Sequence, residues 1–448
     1  MTHPPVSPPL AELVDAHLDR ARTDLAESVA FASVHDDPDR AEENLAGAQW
    51  VADRFTELGF ACEVIETSDG SRAIVGHRPG PDGARTVALY SHHDVQPAGD
   101  EALWDTPPFA LTERDGRWYG RGAADCKGNL VAHLTALRAV GDAASCHVRI
   151  IVEGSEEAGG EGLDHLVRER PELFDADLIL IGDTGNVAVG VPTLTTGLRG
   201  VVNVRVRIRT LETAVHSGQF GGAAPDAMAA LIALLATLRD EAGDTTIDGL
   251  DGDARWAGAD YPAERFRTDA GVLPGVGLLG SGTPADMVWA RPAVTVIGID
   301  APSVDACAAA IIPEATALLN LRIPPGVRPQ EAYDALETHL RNRIGGRGEL
   351  EVTPDAMGAP FAAKTDGPGY AALTAAMREA YDDAEVVHSG QGGSIPLCTV
   401  LAETVPHAEI ALLGVEEPQC RIHAPNESVD PGEIRRTALA EAILLTSF

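Results

Sequence analysis

Three short, mostly apolar runs, Thr86-Val-Ala-Leu-Tyr90, His147-Val-Arg-Ile-Ile-Val152 and Asp177-Leu-Ile-Leu-Ile181, each give way within five residues to a histidine or a carboxylate. Runs this short and apolar read as strands buried on both faces, which parallel sheets covered by helices require. Helical stretches lie between them. Leu45, Ala48, Val51, Phe55 and Leu58 recur at helical spacing inside a region, Leu10 to Phe60, that reads as helical, with Gly59 as its stop. Gly128 to Val140 reads as another helix, with Asp125 just ahead of it. The alternation predicts an α/β fold, a mostly parallel mixed sheet between helices. Such sheets bind ligands at the carboxyl ends of their strands. His92, Glu156, Glu157 and Asp183 are therefore expected to converge.

The pattern changes near Gly197. Val202, Val204, Val206 and Ile208 alternate with Asn203, Arg205, Arg207 and Arg209, the period of a half-buried antiparallel strand. A helical run (Ala227 to Leu238), strands near Val294–Ile299 and Ala315–Ile323, a helix near Glu331–Arg343 and a strand near Glu349–Val352 follow. This β-α-β-β-α-β order predicts an inserted α+β domain with a four-stranded antiparallel sheet and two helices. The expected boundaries are 1–196 and 359–448 for the two parts of the first domain and 197–358 for the insertion. Within the insertion, Glu241 to Ala290 is rich in Gly, Asp and Pro and gives no clear element.

Composition narrows the partners. A net charge of −34 with two lysines, Lys127 and Lys364, leaves no basic stripe for nucleic acid. It fits an acidic soluble surface, with salt adaptation as the alternative. No apolar run is long enough for a bilayer and no leader is apparent, so the expectation is a cytoplasmic protein without a membrane partner. The Pro-rich opening, Met1 to Leu10, reads as a frayed tail. Six scattered cysteines without a C-x-x-C pair read as reduced thiols.

The candidate chemistry lies in five islands: His92 and Asp94 in Ser91-His-His-Asp-Val95, Asp125 in Gly122-Ala-Ala-Asp-Cys-Lys-Gly128, Glu156 and Glu157, Asp183, and His423 in Ile422-His-Ala-Pro-Asn-Glu427. Singly, each is an ordinary surface carboxylate or satisfied histidine. As a set they exceed the four ligands that close a structural zinc and suit two divalent ions. Asp125 is the natural bridge, with His92 and Asp183 on one ion and Glu157 and His423 on the other. Asp94, two residues after His92, is better placed to steady the imidazole than to bind metal. Of Glu156 and Glu157, one can hold metal while the other works as a general base; the residues alone do not say which.

These islands resemble the co-catalytic zinc metallopeptidases that include carnosinase, bacterial dipeptidases, aminoacylase, glutamate carboxypeptidase and succinyl-diaminopimelate desuccinylase. The resemblance runs from about Leu10 to Phe448. It rests on His92-His-Asp94, Gly120-Arg-Gly122 through Gly128, Glu153-Gly-Ser-Glu-Glu-Ala-Gly159, His216-Ser-Gly218 with Gly221-Gly222, Gly392-Gly-Ser-Ile-Pro396 and His423-Ala-Pro-Asn-Glu427. It implies Glu156 as the base and Glu157 as the ligand. It also implies an inserted lid through which a homodimer forms, and a His216 that reaches the neighbouring subunit's site to polarise the scissile carbonyl. Arg322 matches an arginine that grips a substrate carboxylate, and Gly393 and Ser394 a loop that helps hold it. The implied cofactor is a pair of divalent ions, zinc first, with manganese or cobalt as alternatives. Asp183 is where the family's dipeptidases and aminopeptidases carry aspartate and its carboxypeptidases and acylases glutamate, and the Glu241–Ala290 stretch resembles the longer lid of the carnosinase-like branch. Cys126 departs from the usual Asp, Asn or Met and reads as a passive replacement; His93 reads as a passenger.

The expected activity is hydrolysis of the peptide bond of a small peptide by a dinuclear dipeptidase, with metal-activated water and Glu156 as base. The rivals are an N-acyl or N-succinyl amino acid deacylase using the same site and a metal-dependent peptide-binding protein without turnover.

Overall fold

The protein is described by a computed structural model covering residues 9–448. The frayed tail expected at the start falls, up to residue 8, outside the described residues. The chain divides into two compact units, Met1–Thr196 with Ala363–Ser389 and Pro396–Phe448, and Gly197–Ala362 with Gly390–Ile395. The second unit thus runs four residues past 358, because Phe361 and Ala362 pair with Leu198 and Gly197. It also takes in Gly390–Ile395, where Gly390 lies against the Trp289 and Trp256 rings.

In the first unit four parallel strands form the middle of a mixed sheet, in the order His147–Glu153, Thr86–His92, Leu178–Gly182, Glu409–Leu413. Their alternate side chains face helices on either side, which is why they read as continuous apolar runs. Antiparallel strands Arg72–Arg78 and Ala61–Glu66 extend one edge, and Thr193–Leu198 lies beside Glu409–Leu413 on the other. The Lys127–Val140 helix buries every side chain but Arg138, packed between Leu18–Val29 and Pro431–Ser447. Truncating one of its core residues, such as Leu134, costs about 2–5 kcal/mol.

The helical stretch expected over Leu10 to Phe60 is broken into Leu10–Asp15, Leu18–Val29 and Ala41–Glu57. Pro38 restarts the chain as a 3-10 turn, with the Asp37 carboxylate accepting the Asp39 N–H at 3.0 Å. The Ala61–Arg78 hairpin has no counterpart in the sequence reading, since its outer strand, Ala61–Glu66, has no buried residue.

The second unit holds the expected sheet, Ala293–Asp300, Glu314–Ile323, Gly200–Arg209, Glu349–Gly358, antiparallel throughout. Helices Ala227–Leu235 and Pro329–Ile344 cover one face, joining Leu231, Leu234, Leu336 and Leu340 to Val202, Val204, Val206 and Ile208. The opposite face is polar, with Asn320 donating to Asn203 at 2.7 Å. The stretch from Glu241 to Ala290 acquires a small aromatic core: Tyr261 stacks on Trp289, which meets Trp256 edge-on, both at 5.4 Å.

Candidate active site

The carboxyl ends of the four parallel strands are where the first unit gathers its charged groups. Thr86–His92 ends on His92 itself. His147–Glu153 leads into a 3-10 turn, Glu156–Ala158, that carries both glutamates. Leu178–Gly182 delivers Asp183, and the chain after Glu409–Leu413 carries His423. Asp125 sits between them ahead of the Lys127–Val140 helix.

The two oxygens of Asp125 face different partners. Its Oδ1 lies 3.0 Å from His92 Nε2, which is 3.2 Å from Asp183 Oδ1. Its Oδ2 lies 2.9 Å from His423 Nε2, which is 3.1 Å from Glu157 Oε2. Ligands at about 2.0–2.1 Å around a tetrahedral ion stand about 3.3 Å apart. Each imidazole nitrogen therefore stands at ligand-to-ligand distance from Asp125 and from one further carboxylate, with Asp125 shared. The donor set, imidazole nitrogen plus carboxylate oxygen, fits divalent zinc, manganese or cobalt.

The same closeness distorts every titration. Burial raises Asp183, aided by Asp125 and Glu157 and opposed by His92, to about 6. Burial and then Asp183 push Glu156 well above the usual carboxylate range. Burial would raise Asp125 too, but hydrogen bonds with His423 and His92 outweigh it and hold the group below its ordinary value. Hydrogen bonds to Asp125 and Glu157 lift His423 to about 10. Burial opposes charge on His92, yet the Asp183 and Asp125 carboxylates raise it well above normal. Without metal, both imidazoles keep a proton that a dication would displace.

Residues 88–446 match the profile of peptidase family M20/M25/M40. The chain belongs to that family. It is 45% identical to a cysteinylglycine-S-conjugate dipeptidase of Corynebacterium striatum over 435 residues, 96% of each chain. It is 28% identical to a Cys-Gly metallodipeptidase of Schizosaccharomyces pombe over 454 residues, 94% of each. Among solved structures, human carnosine dipeptidase 1 superposes with a TM-score of 0.80 at 25% identity, covering 98% of both chains.

Around this M20 site the structure adds residues that sequence reasoning missed. Glu427 is fully buried and takes four donors: Arg121 Nη1 at 2.6 Å and Gly122 N at 3.0 Å on Oε2, Ala124 N and Asp125 N at 3.1 Å on Oε1. It holds the turn that presents Asp125. Its motif is visible in the sequence; its reach of some 300 residues is not. Glu416 is a second omission, buried with one oxygen close to those of Asp125 and Asp183. Asp94 does more than steady an imidazole. His92 Nδ1 donates to its main-chain oxygen at 3.0 Å, while its carboxylate accepts the N–H groups of Glu156 at 3.1 Å and Glu157 at 3.0 Å. Cys126 donates its buried thiol to Gly182 O at 2.8 Å, and burial, above all, keeps that thiol neutral. His93 is buried with Nε2 3.2 Å from Arg72 O, and burial draws it down to about 4.

The remaining predicted residues belong to the second unit. Arg322 is half-buried on Glu314–Ile323, and Gly393 and Ser394 lie in the Gly390–Ile395 stretch. Arg199, which sequence reasoning passed over, accompanies them. It is buried, its Nη2 abuts Gly392, and its Nε and Nη1 have no partner. Burial, with Arg322 nearby, lowers it to about 10. His216 is exposed on the short Val215–His216 strand, and its Nδ1 accepts the Gly218 N–H at 3.1 Å.

Proposed function

We propose that this M20 enzyme is a dinuclear metal-dependent dipeptidase. The observation that carries the reading is the 45% identity, over 96% of both chains, to a protein described as a dipeptidase. Asp125, whose two oxygens each face an imidazole–carboxylate pair, fits it. On this reading His92, Asp183 and Asp125 hold one ion and Glu157, His423 and Asp125 the other. Zinc is the first expectation and manganese or cobalt the alternatives. Two such ions supply Lewis acidity toward the scissile carbonyl and lower the pKa of water.

The side chains do the rest. Glu156, fixed at its N–H by Asp94, removes a proton from water as the water oxygen attacks the carbonyl carbon. It passes that proton to the leaving nitrogen as the C–N bond breaks. Arg322 and Arg199, with Ser394 and the Gly392–Gly393 backbone, grip the peptide's carboxylate. Because His216 Nδ1 accepts a backbone N–H, its neutral ring carries its proton on Nε2 and can donate to a developing oxyanion. We place that donation in the neighbouring subunit of a homodimer formed through the second unit, in the cytoplasm.

The test is a metal-loaded sample assayed side by side on Cys-Gly, S-substituted Cys-Gly, β-Ala-His and other dipeptides, and on N-acetyl and N-succinyl amino acids. Cleavage confined to dipeptides is expected. Turnover of the acyl substrates alone would make the enzyme a deacylase, and no turnover of any would leave a binding protein.

A further inference from the structure

Glu416 and Glu417 are adjacent glutamates, both buried, with opposite fates. Glu417 pairs with Arg117 at 2.6 Å and accepts the Gln419 N–H at 2.8 Å. Glu416 is 7% exposed, and its Oε1 is sealed from solvent without a hydrogen-bond partner. A buried carboxylate oxygen left bare is costly, so folds retain one where something absent from the chain itself satisfies it.

Its position is built. Beyond the parallel pairing of Leu413 with Gly182, the two chains stay side by side as far as a bridge between Gly185 and Glu416. Asn186 N–H donates to Glu416 O at 2.7 Å. A Cβ at Gly185 would stand 2.1 Å from that oxygen, and one at Gly414 2.0 Å from Thr184 O. Both glycines are needed for this approach, which fixes Glu416 in register beside Asp183. Carboxylate oxygens of Asp125, Asp183 and Glu416 come within 4.8 Å of one another. Three carboxylates that close, one of them bare, call for a cation.

Resting on the dinuclear reading above, we propose that Glu416 is a further protein ligand of the metal pair, on the Asp125–Asp183 side. The two positions then differ. The Asp183 side gathers more carboxylate oxygen and holds its ion more tightly, and its hard donors favour manganese over zinc relative to the His423 side.

The experiment is titration of metal-free wild type, Glu416→Gln and Glu416→Asp with Mn(II) and Zn(II), followed by calorimetry and elemental analysis. Visible spectra of the Co(II)-loaded forms are recorded alongside. Circular dichroism of the metal-free proteins checks folding, and the Asp variant, which keeps the charge but retracts it, serves if the Gln variant does not fold. Two ions of unequal affinity are expected in wild type. Either variant should weaken one of them by roughly 10–100-fold, more for Mn(II) than for Zn(II), with intensified Co(II) bands as coordination falls. Wild type binding fewer than two ions would refute the dinuclear reading itself. Two ions in wild type with unchanged affinities and spectra in the variants would overturn the Glu416 assignment alone. A raised KM for dipeptides with metal binding unaltered would also overturn it, making Glu416 a substrate contact.

Discussion

Replacing Glu427 by glutamine tests whether one buried carboxylate holds the shared ligand in place. The wild-type group receives two donors on each oxygen, and its partner Arg121 is only 2% exposed. An amide keeps one oxygen, so its NH2 must face either Arg121 and Gly122 or Ala124 and Asp125. Two hydrogen bonds become donor–donor contacts, and Arg121 loses its counter-charge. Removing one member of a buried pair costs about 3–5 kcal/mol; the amide retains two acceptor contacts, which places the change near the lower figure, ~3 kcal/mol. At 1.4 kcal/mol per tenfold that is about two orders of magnitude. Because Asp125 faces both triangles, the loss should weaken both ions together, unlike Asp183→Asn or Glu157→Gln, which should weaken mainly one. Urea denaturation of the metal-free protein reads the stability change, and calorimetric titration reads the two affinities. A midpoint shift equivalent to under about 1 kcal/mol, with both affinities intact, would refute the reasoning.

Glu156→Gln should keep both ions yet lower kcat by about 10²–10⁴-fold; wild-type turnover in a metal-replete sample would remove the assigned base. Metal binding should release protons, since His423 titrates near 10 and His92 well above its usual value in the metal-free site. The sign follows: protons compete for these raised imidazoles, so apparent affinity falls about tenfold per pH unit per imidazole as pH drops below their pKa. Titration at pH 7 in buffers of different ionisation enthalpy should count about two protons from the imidazoles, and no release would contradict the geometry. Arg199→Met should raise the melting temperature, because a buried guanidinium without partners is a liability to the fold. It should also raise KM for dipeptides by about 10–150-fold, the worth of a charge-assisted hydrogen bond of about 1.5–3 kcal/mol; an unchanged KM would remove Arg199 from the carboxylate grip.

The legible part of this molecule is the part written in local pattern. Thr86–His92, His147–Glu153 and Leu178–Gly182 each carry a short unbroken apolar stretch, Val87–Tyr90, Ile150–Val152 and Leu178–Gly182, so their strand character and the placement of His92, Glu156, Glu157 and Asp183 at their ends follow from composition over a few residues. The alternating Val202 to Arg209 run likewise announces a sheet with one polar face. Glu427, Glu416 and Arg199 escape because their roles depend on partners far along the chain. Glu416 and Glu417 are chemically identical neighbours, and only the register beyond Leu413 and Gly182 sends one to Arg117 and the other to Asp183.

That contrast points to what marks function here. A fold seeking stability alone would pair its buried charges, as it pairs His133 with Glu441 at 2.9 Å. Arg199 and Glu416 carry ionisable groups that the chain buries without completing their hydrogen bonds. Each does so in a different unit, beside the residues the motifs single out: Arg199 against Gly392, Glu416 against Asp183 and Asp125. Since an unmet buried polar atom opposes folding, both are best understood as half of an interaction whose other half is a ligand, an anion for the guanidinium and a cation for the carboxylate. The opposite signs make the idea separable by experiment. Metal should stabilise wild type more than Glu416→Gln and leave the response of Arg199→Met unchanged, whereas a dipeptide product carrying a free carboxylate should do the reverse.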